Sequence, residues 1–362
     1  MTFSNVSFGD VTDNFDKKRI PLSAAQREKR QGKYRYYGAQ GVIDWVDDYI
    51  FDGTYLLIAE DGENLKSKKS NIAQLASGKF WVNNHAHVIQ CKKGYDIRYL
   101  CYLINLTDLS GYITGSAQPK LSQSSMNAIV LPMPKFEIQK EVADFIEKFD
   151  KKIQINEKVN DNLQQQASAI YQPWFEEFLL SGGSCPSTWK HGILADIANI
   201  TSGKRPSVKF FEMTENAVIP IVGAASIMGY TSESNHTDKI LVTGRVGTHG
   251  VIQRFSSPCW TSDNTLVITS DLYEYTYQLL KRIDYHSMNR GSTQPLITQS
   301  DMNKVPILIP DSETLNNFEL LAGKLMEQYQ SNLLESRKLA ELRDTLLPKL
   351  ISGEIDVSNL QL

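Results

Sequence analysis

The chain has 362 residues, a net charge of −3 and a pI near 6.1. That length accommodates two or three domains with cores of their own, and the charge balance excludes a globally basic nucleic-acid binder, so any basic face must be local. The four cysteines (Cys91, Cys101, Cys185, Cys259) are scattered without a CxxC pair, which fits a reducing cytoplasm and offers no zinc site.

The first ten residues, MTFSNVSFGD, lack the basic and apolar regions of a signal peptide. The best apolar run, Ala217–Met228, is short and interrupted by Pro220 and Gly223. The expectation is a cytoplasmic protein. Next comes Lys17–Arg35, where Lys17, Lys18, Arg19, Arg27, Lys29, Arg30, Lys33 and Arg35 face a single Glu28, and Tyr34, Tyr36 and Tyr37 follow. Lys and Arg neutralise phosphates and Tyr stacks, so this composition suits a nucleic-acid surface; a solvated face is the plainer alternative.

YYGAQGVIDW (Tyr36–Trp45) and YLLIAEDGENL (Tyr55–Leu65) read as short strands with tight turns. WVNNHAHVI (Trp81–Ile89) reads as another strand, and YDIRYLCYLINL (Tyr95–Leu106) as a short helix. Then comes GSAQPKLSQSSMN (Gly115–Asn127), which returns as GSTQPLITQSDMN (Gly291–Asn303) with eight identical positions and no gap. Each copy leads into an apolar run ending in proline, at Pro134 and Pro310, and then into a long helical pattern. The chain is therefore built twice. IVGAASIMGY (Ile221–Tyr230), ILVTGRVGTHG (Ile240–Gly250), WTSDNTLVI (Trp260–Ile268) and LYEYTYQLLKRI (Leu272–Ile283) answer the four earlier segments, pairing Gly38 with Gly223 and Gly62 with Gly247.

From Lys135 to about Leu180, the residues Ile138, Val142, Phe145, Phe149, Val159, Leu163 and Ile170 recur on three- and four-residue steps. Glu313–Ser352 repeats this with Phe318, Leu321, Leu325, Leu339, Leu342 and Leu346. Both faces are polar midway, at Lys152 and Asn156 and at Gln328 and Asn332, and both helices carry a distal proline, Pro173 and Pro348. A helix of roughly 40 residues spans about 60 Å, so the two apolar stripes are expected to cover each other as a coiled coil. Connectivity through the short break Ser181–Thr188 makes that coil antiparallel. The fold class is thus α+β (mixed α/β): two similar strand-rich units separated by an antiparallel pair of long helices. The division is 1–134, 135–185, 186–310 and 311–362. The amides near mid-helix either fix register from inside or face solvent.

Two similar heads at a set separation suit a split, asymmetric target, and duplex DNA is the natural one. No catalytic motif appears: no P-loop, and no Asn-Pro-Pro-aromatic or Asp-Pro-Pro-Tyr tetrapeptide. His85 and His87 have no carboxylate or cysteine at metal-ligand spacing, and read as ordinary histidines rather than a metal site. Gly244–Gly250 lacks the strand–turn–helix context of a dinucleotide fingerprint and reads as a turn. Glu60 and Asp61 fall where the second copy has Arg245 and Val246, so they are no repeated acid pair.

The doubled GSxQP motif, its apolar run and following helix, and the ending LRDTLLPKLISGEI (Leu342–Ile355) together resemble the specificity subunit of Type I restriction–modification systems, across essentially the whole chain. Met126 and Met302 stand where that family usually has Leu, a volume-conserving change. Ile138-Gln139 and Thr314-Leu315 depart from its Glu-Gln. The resemblance implies target-recognition domains at 1–134 and 186–310, each reading half of a bipartite DNA sequence. It implies that the helices at 135–185 and 311–362 set the gap and dock two modification subunits. Those subunits would hold S-adenosylmethionine and methylate adenine N6; a restriction subunit using ATP and Mg would translocate and cleave. This chain would be non-catalytic, with no cofactor or metal of its own.

Base and phosphate chemistry nominates contact residues. In the first unit they are Lys17, Lys18, Arg19, Arg27, Arg30, Lys33, Arg35, Tyr36, Lys66, Lys68, Lys69 and Gln118. In the second they are Lys204, Arg205, Lys209, Arg245, His249, Arg290 and Gln294. Gln118 and Gln294 are identical in both copies, so they suit loop or phosphate contacts better than discrimination; Gly115, Pro119, Gly291 and Pro295 suit a turn. A structural adaptor with two ligand-binding heads is the alternative from another class.

Overall fold

The computed structural model describes residues 2–115, 118–288, 290 and 296–360, and the strands and sheets below are those of the described residues. The chain divides into two compact units, Met1–Ile155 with Glu335–Leu362, and Asn156–Leu334.

Unit one opens with β1 (Phe3–Ser7) and β2 (Thr12–Asn14). The strands β3 (Gln31–Gly38), β4 (Gly41–Val46), β5 (Phe51–Ala59), β6 (Ala73–Val82) and β7 (Ala86–Cys91) follow, and β8 (Val130–Pro134) closes the series. β1 pairs antiparallel with β8. The others form one sheet ordered β2-β7-β5-β6-β3-β4, in which β3 and β6 are parallel. Leu56, Ile58, Ile89 and the helix Ile97–Leu106 pack on one face of it. That helix begins at Asp96, whose carboxylate accepts from the Arg98 and Tyr99 N–H groups. Tyr37, Phe51, Phe80 and Val88 pack in a separate cluster, as alternation along strands requires.

Unit two has β9 (Lys190–Ile193), β10 (Asn199–Ser202), β11 (Ile219–Val222), β12 (Ile227–Thr231) and β13 (Ile240–Gly244). It continues with β14 (Gln253–Phe255), β15 (Trp260–Thr261), β16 (Thr265–Thr269) and β17 (Pro306–Ile309). The repeat survives as hydrogen bonds. β9 pairs with β17 as β1 does with β8; the Phe8 N–H donates to Ile129 C=O (2.8 Å) where the Leu194 N–H donates to Val305 C=O (2.9 Å). β13 runs antiparallel to β16 as β5 does to β7. β11 is parallel to β15 as β3 is to β6, and the Asn83 and Ser262 N–H groups donate to Tyr37 and Val222 C=O, 3.0 Å each. Here, however, the strands divide into two sheets, β10-β16-β13-β14 and β12-β11-β15.

The long helices are Phe136–Phe175 and Ser312–Ser352. The first stops short of the expected Leu180, two residues after Pro173. Asp311 caps the second, its carboxylate accepting from the Thr314 N–H at 2.9 Å. That helix ends at Gly353, whose φ of +76° suits glycine, and Leu350, Ile351 and Val357 then enter the core of unit one. Within each unit the helix segments run antiparallel. In unit one Lys152 meets Glu335 (3.2 Å) and Asp150 meets Arg343 (2.7 Å). In unit two Asn160 meets Asn332, and Tyr171 meets Phe318.

The stripes do not cover only each other. Val142, Ile146 and Phe149 pack into the core of unit one, and Tyr171, Phe175, Leu315 and Phe318 pack on Tyr275 in unit two. Val159, Leu321 and Leu342 remain exposed. The mid-helix asparagines are internal, whereas Gln328 is exposed. Asn332 Nδ2 donates to Asn160 Oδ1 (2.9 Å), Gln328 Nε2 donates to Asn332 Oδ1 (2.8 Å), and Asn156, Asn160 and Asn332 are buried. Among the described residues, no helix is long and apolar enough to cross a membrane.

Candidate nucleic-acid interface

In both units the repeated turn meets the end of the β5 or β13 strand. In unit one the Glu60 N–H donates to His85 C=O (2.9 Å), the Leu121 N–H to Glu60 C=O (2.8 Å) and the Gly62 N–H to Pro119 C=O (3.1 Å). In unit two the Arg245 N–H donates to Asn264 C=O (2.8 Å) and the Ile297 N–H to Arg245 C=O (3.0 Å). Glu60 and Arg245 are thus equivalent. So are Thr114 and Arg290, whose N–H groups donate to Lys120 and Leu296 C=O at 2.8 and 3.1 Å.

The motif has a local explanation. Gly115 sits at φ +86° with Gln118 O 2.2 Å from where a Cβ would stand, so only glycine fits. Ser122 and Thr298 cap the short helices Gln123–Asn127 and Gln299–Asn303, and Met126 and Met302 are fully buried anchors beneath them. Gln118 is exposed. Gly291, Gln294 and Pro295 lie outside the described residues.

Charge at this place differs between the units. Glu60 is half-enclosed; its carboxylate takes Arg19 at 2.8 Å and Lys120 at 3.2 Å. Burial alone would raise its pKa, but Arg19, His87 and Lys120 outweigh that and hold it below the usual range. Asp61 and Glu63 follow it in sequence, where unit two has Val246 and Thr248. Arg245 has no ion-pair partner among the described residues, and its buried Nε makes no hydrogen bond. His249 Nδ1 lies 3.1 Å from Gly244 O and so donates to it, whereas its buried Nε2 has no partner.

The basic stretch of unit one forms a 3-10 turn (Asp16–Lys18), a short helix (Ala24–Glu28) and β3. Much of its charge is spoken for. Arg19 also donates to Ala86 C=O (2.8 Å). Arg27 pairs with Asp44 (2.8 Å) and lies over Tyr36. Arg30 pairs with Asp47 (2.9 Å) and lies over Trp81. Arg35 donates to Ser77 C=O. Tyr36 is fully buried, its hydroxyl accepting from the Leu22 N–H at 2.8 Å. Lys17, Lys18 and Lys33 are exposed. So are Lys66, Lys68 and Lys69 on a separate loop, where Lys68 Nζ donates to Thr107 C=O at 3.0 Å. In unit two Lys204 and Arg205 are exposed, Lys209 lies over the exposed Phe211 ring, and Arg290 is bonded to Asp301.

The two histidines, which sequence spacing left without carboxylate partners, acquire them through the fold. His85 Nδ1 is 2.8 Å from Asp61, and the buried His87 Nδ1 is 2.5 Å from Asp16. Burial pushes Asp16 up, but hydrogen bonds from His87, Asn14 and the Val88 N–H leave it below its ordinary value. Asp16, Glu60 and His87 bring three possible ligand atoms within 4.8 Å of one another. Each is already engaged, Glu60 by two cations, Asp16 by His87, and His87 Nε2 by Leu121 C=O at 2.8 Å. The cluster is therefore an ion-pair network that pins the basic turn to the sheet.

The Type I restriction modification DNA specificity domain matches the chain twice, over residues 2–165 and 186–343. The chain is 28% identical to the MjaIX specificity subunit of Methanocaldococcus jannaschii over 84% of its own length and 80% of that protein's. It is 23% identical to the HindI specificity subunit of Haemophilus influenzae over 98% and 95%. A putative specificity subunit, also of Haemophilus influenzae, is 30% identical but matches only 38% of this chain and 35% of its own length. The fold is similar to that of a crystal structure of a Type I restriction–modification S subunit from M. genitalium, with a TM-score of 0.62, 16% identity and coverage of 97% and 96%. With the domain present twice on matched hydrogen-bond frames, the chain belongs to the family of Type I restriction–modification specificity subunits.

Proposed function

We propose that each unit binds duplex DNA and reads one half of a bipartite, asymmetric target, so that 1–134 and 186–310 act as target-recognition domains. The long helices, within 135–185 and 311–362, set the gap between the half-sites and dock two modification subunits. Those partners bind S-adenosylmethionine and methylate adenine N6, and a restriction subunit driven by ATP with Mg joins them. This chain supplies recognition and no chemistry of its own.

The observation that carries this reading is one hydrogen-bonded frame presented twice with opposite charge at the same position, Glu60 against Arg245. A frame kept while its surface changes suits two different half-sites. The exposed Lys17, Lys18, Lys33, Lys66, Lys68 and Lys69 of unit one and Lys204 and Arg205 of unit two supply phosphate and base donors. Arg19, Arg27 and Tyr36 act from beneath by holding those loops in place. Exposed apolar side chains on the long helices, Val159, Leu320, Leu321 and Leu342, suit protein docking. Titrating the chain with duplex DNA across a salt series tests the reading. Affinity should fall steeply as salt rises, and no salt-dependent binding would favour an adaptor that binds something else.

A further inference from the structure

Building on the DNA reading above, we propose that the loop Arg245–Gly250 of unit two clamps a phosphodiester of the duplex, and that the matching loop of unit one makes no such contact. The equivalence rests on the paired hydrogen bonds at Glu60 and Arg245. In unit one that loop carries Glu60, Asp61 and Glu63; Asp61 lies 2.8 Å from His85, and the exposed Glu63, with no ion-pair partner among the described residues, would repel a phosphate. Glu60 is neutralised from within, by Arg19 and Lys120. In unit two the place of Lys120 is taken by Leu296 and that of Glu60 by Arg245, so the loop gains a cation and loses its internal counter-charge.

Arg245 has a buried Nε without a hydrogen-bond acceptor among the described residues. That Nε is shut off from solvent, so a phosphate oxygen, an acceptor-only partner, would meet the terminal nitrogens of this half-buried guanidinium, which form no ion pair among the described residues. The loop backbone is already shaped. Gly247 and Gly250 lie at φ +84° and +78°, and the Thr248 carbonyl oxygen folds so close over Gly244 that a Cβ there would sit 1.8 Å from it. His249 ties the same turn through its Nδ1 bond to Gly244 C=O. The adjacent exposed Arg290, where unit one has Thr114, is paired with Asp301, so Arg245 is the cation of this edge that lacks an ion-pair partner among the described residues. A phosphate contact positions the duplex without reading sequence, so the two heads would share the work of backbone anchoring unequally.

The test uses the full chain and a pool of random-sequence duplexes, with affinity measured from about 50 to 200 mM salt, the range over which counterion release dominates. Two variants are compared: Arg245→Met, which keeps the apolar stem, and Thr248→Glu, which places at an exposed position the acid that unit one has there. Arg245→Met should weaken binding about tenfold for all sequences alike, as loss of one charge-assisted contact implies, and lower the salt slope by about 0.9. Thr248→Glu should weaken binding in the same uniform way with its melting temperature unchanged. If both variants keep wild-type affinity and slope, the clamp is refuted. A loss confined to particular sequences would also refute it, making Arg245 a base reader. Failure of the wild-type chain to bind DNA at all would overturn the underlying DNA reading instead.

Discussion

Asp16 and Glu60 are carboxylates whose burial works against their charge, yet both titrate below their ordinary values of 3.8 and 4.5 because His87, Arg19 and Lys120 stabilise the ionised form. A folded pKa below the unfolded one contributes stability above the unfolded value, and that contribution is lost as pH falls through the folded one. Unit one should therefore lose stability as pH drops below about 4.5, and a Glu60→Gln, Asp16→Asn double variant should lose less over the same interval. Denaturant unfolding across pH 3–6 measures this; identical acid profiles would refute it. A second residue-scale expectation concerns the buried pair Arg254–Glu274, bonded twice at 2.7 and 2.6 Å. Glu274→Gln keeps the shape and strands the guanidinium, so unit two should be destabilised by about 3–5 kcal/mol. A loss under 1 kcal/mol would mean that solvent reaches Arg254. The charge of the basic stretch was legible in sequence, but its use was not. Counted locally it faces only Glu28, whereas the fold delivers Asp44, Asp47 and Glu60 from other strands. The same long-range closure hid the partners of His85 and His87.

At the scale of elements, the pairs Gly38/Gly223, Gly62/Gly247 and Trp81/Trp260 were readable because short-range turn and strand chemistry repeats. The long helices were readable from their 3.6-residue periodicity. What periodicity does not tell is what covers a stripe. Val142 and Phe149 belong to the core of unit one as much as to a coiled coil, and Val159 and Leu321, on the same spacing, are exposed. The amide layer could be located but not assigned to the inside, since an Asn on a helix looks the same in either place. Its burial yields a prediction. Asn332→Leu alone leaves the buried Asn160 Oδ1 without its donor, while Asn160 Nδ2 keeps its bond to Tyr329 C=O, and should cost about 1–3 kcal/mol. Asn160→Leu with Asn332→Leu should recover most of that, at the expense of register specificity. A double-mutant cycle on the full chain measures the coupling; additive losses would show that the two amides do not share a bond.

For the whole molecule, the doubled domain makes the helices the element that distinguishes one target spacing from another under the proposed function. Seven residues inserted into each long helix add about 10 Å at 1.5 Å per residue. That corresponds to about three base pairs at 3.4 Å. The recognised gap should lengthen by about that amount with both half-sites unchanged. Altered half-sites would show that the helices also shape the heads. The most direct measurement of the central claim is a single-base map of N6-methyladenine in a host expressing this chain with its modification subunit. The account predicts one bipartite motif with a fixed gap, present only when this chain is present. An unchanged methylation map, with the modification subunit folded and bound to the chain, would contradict it.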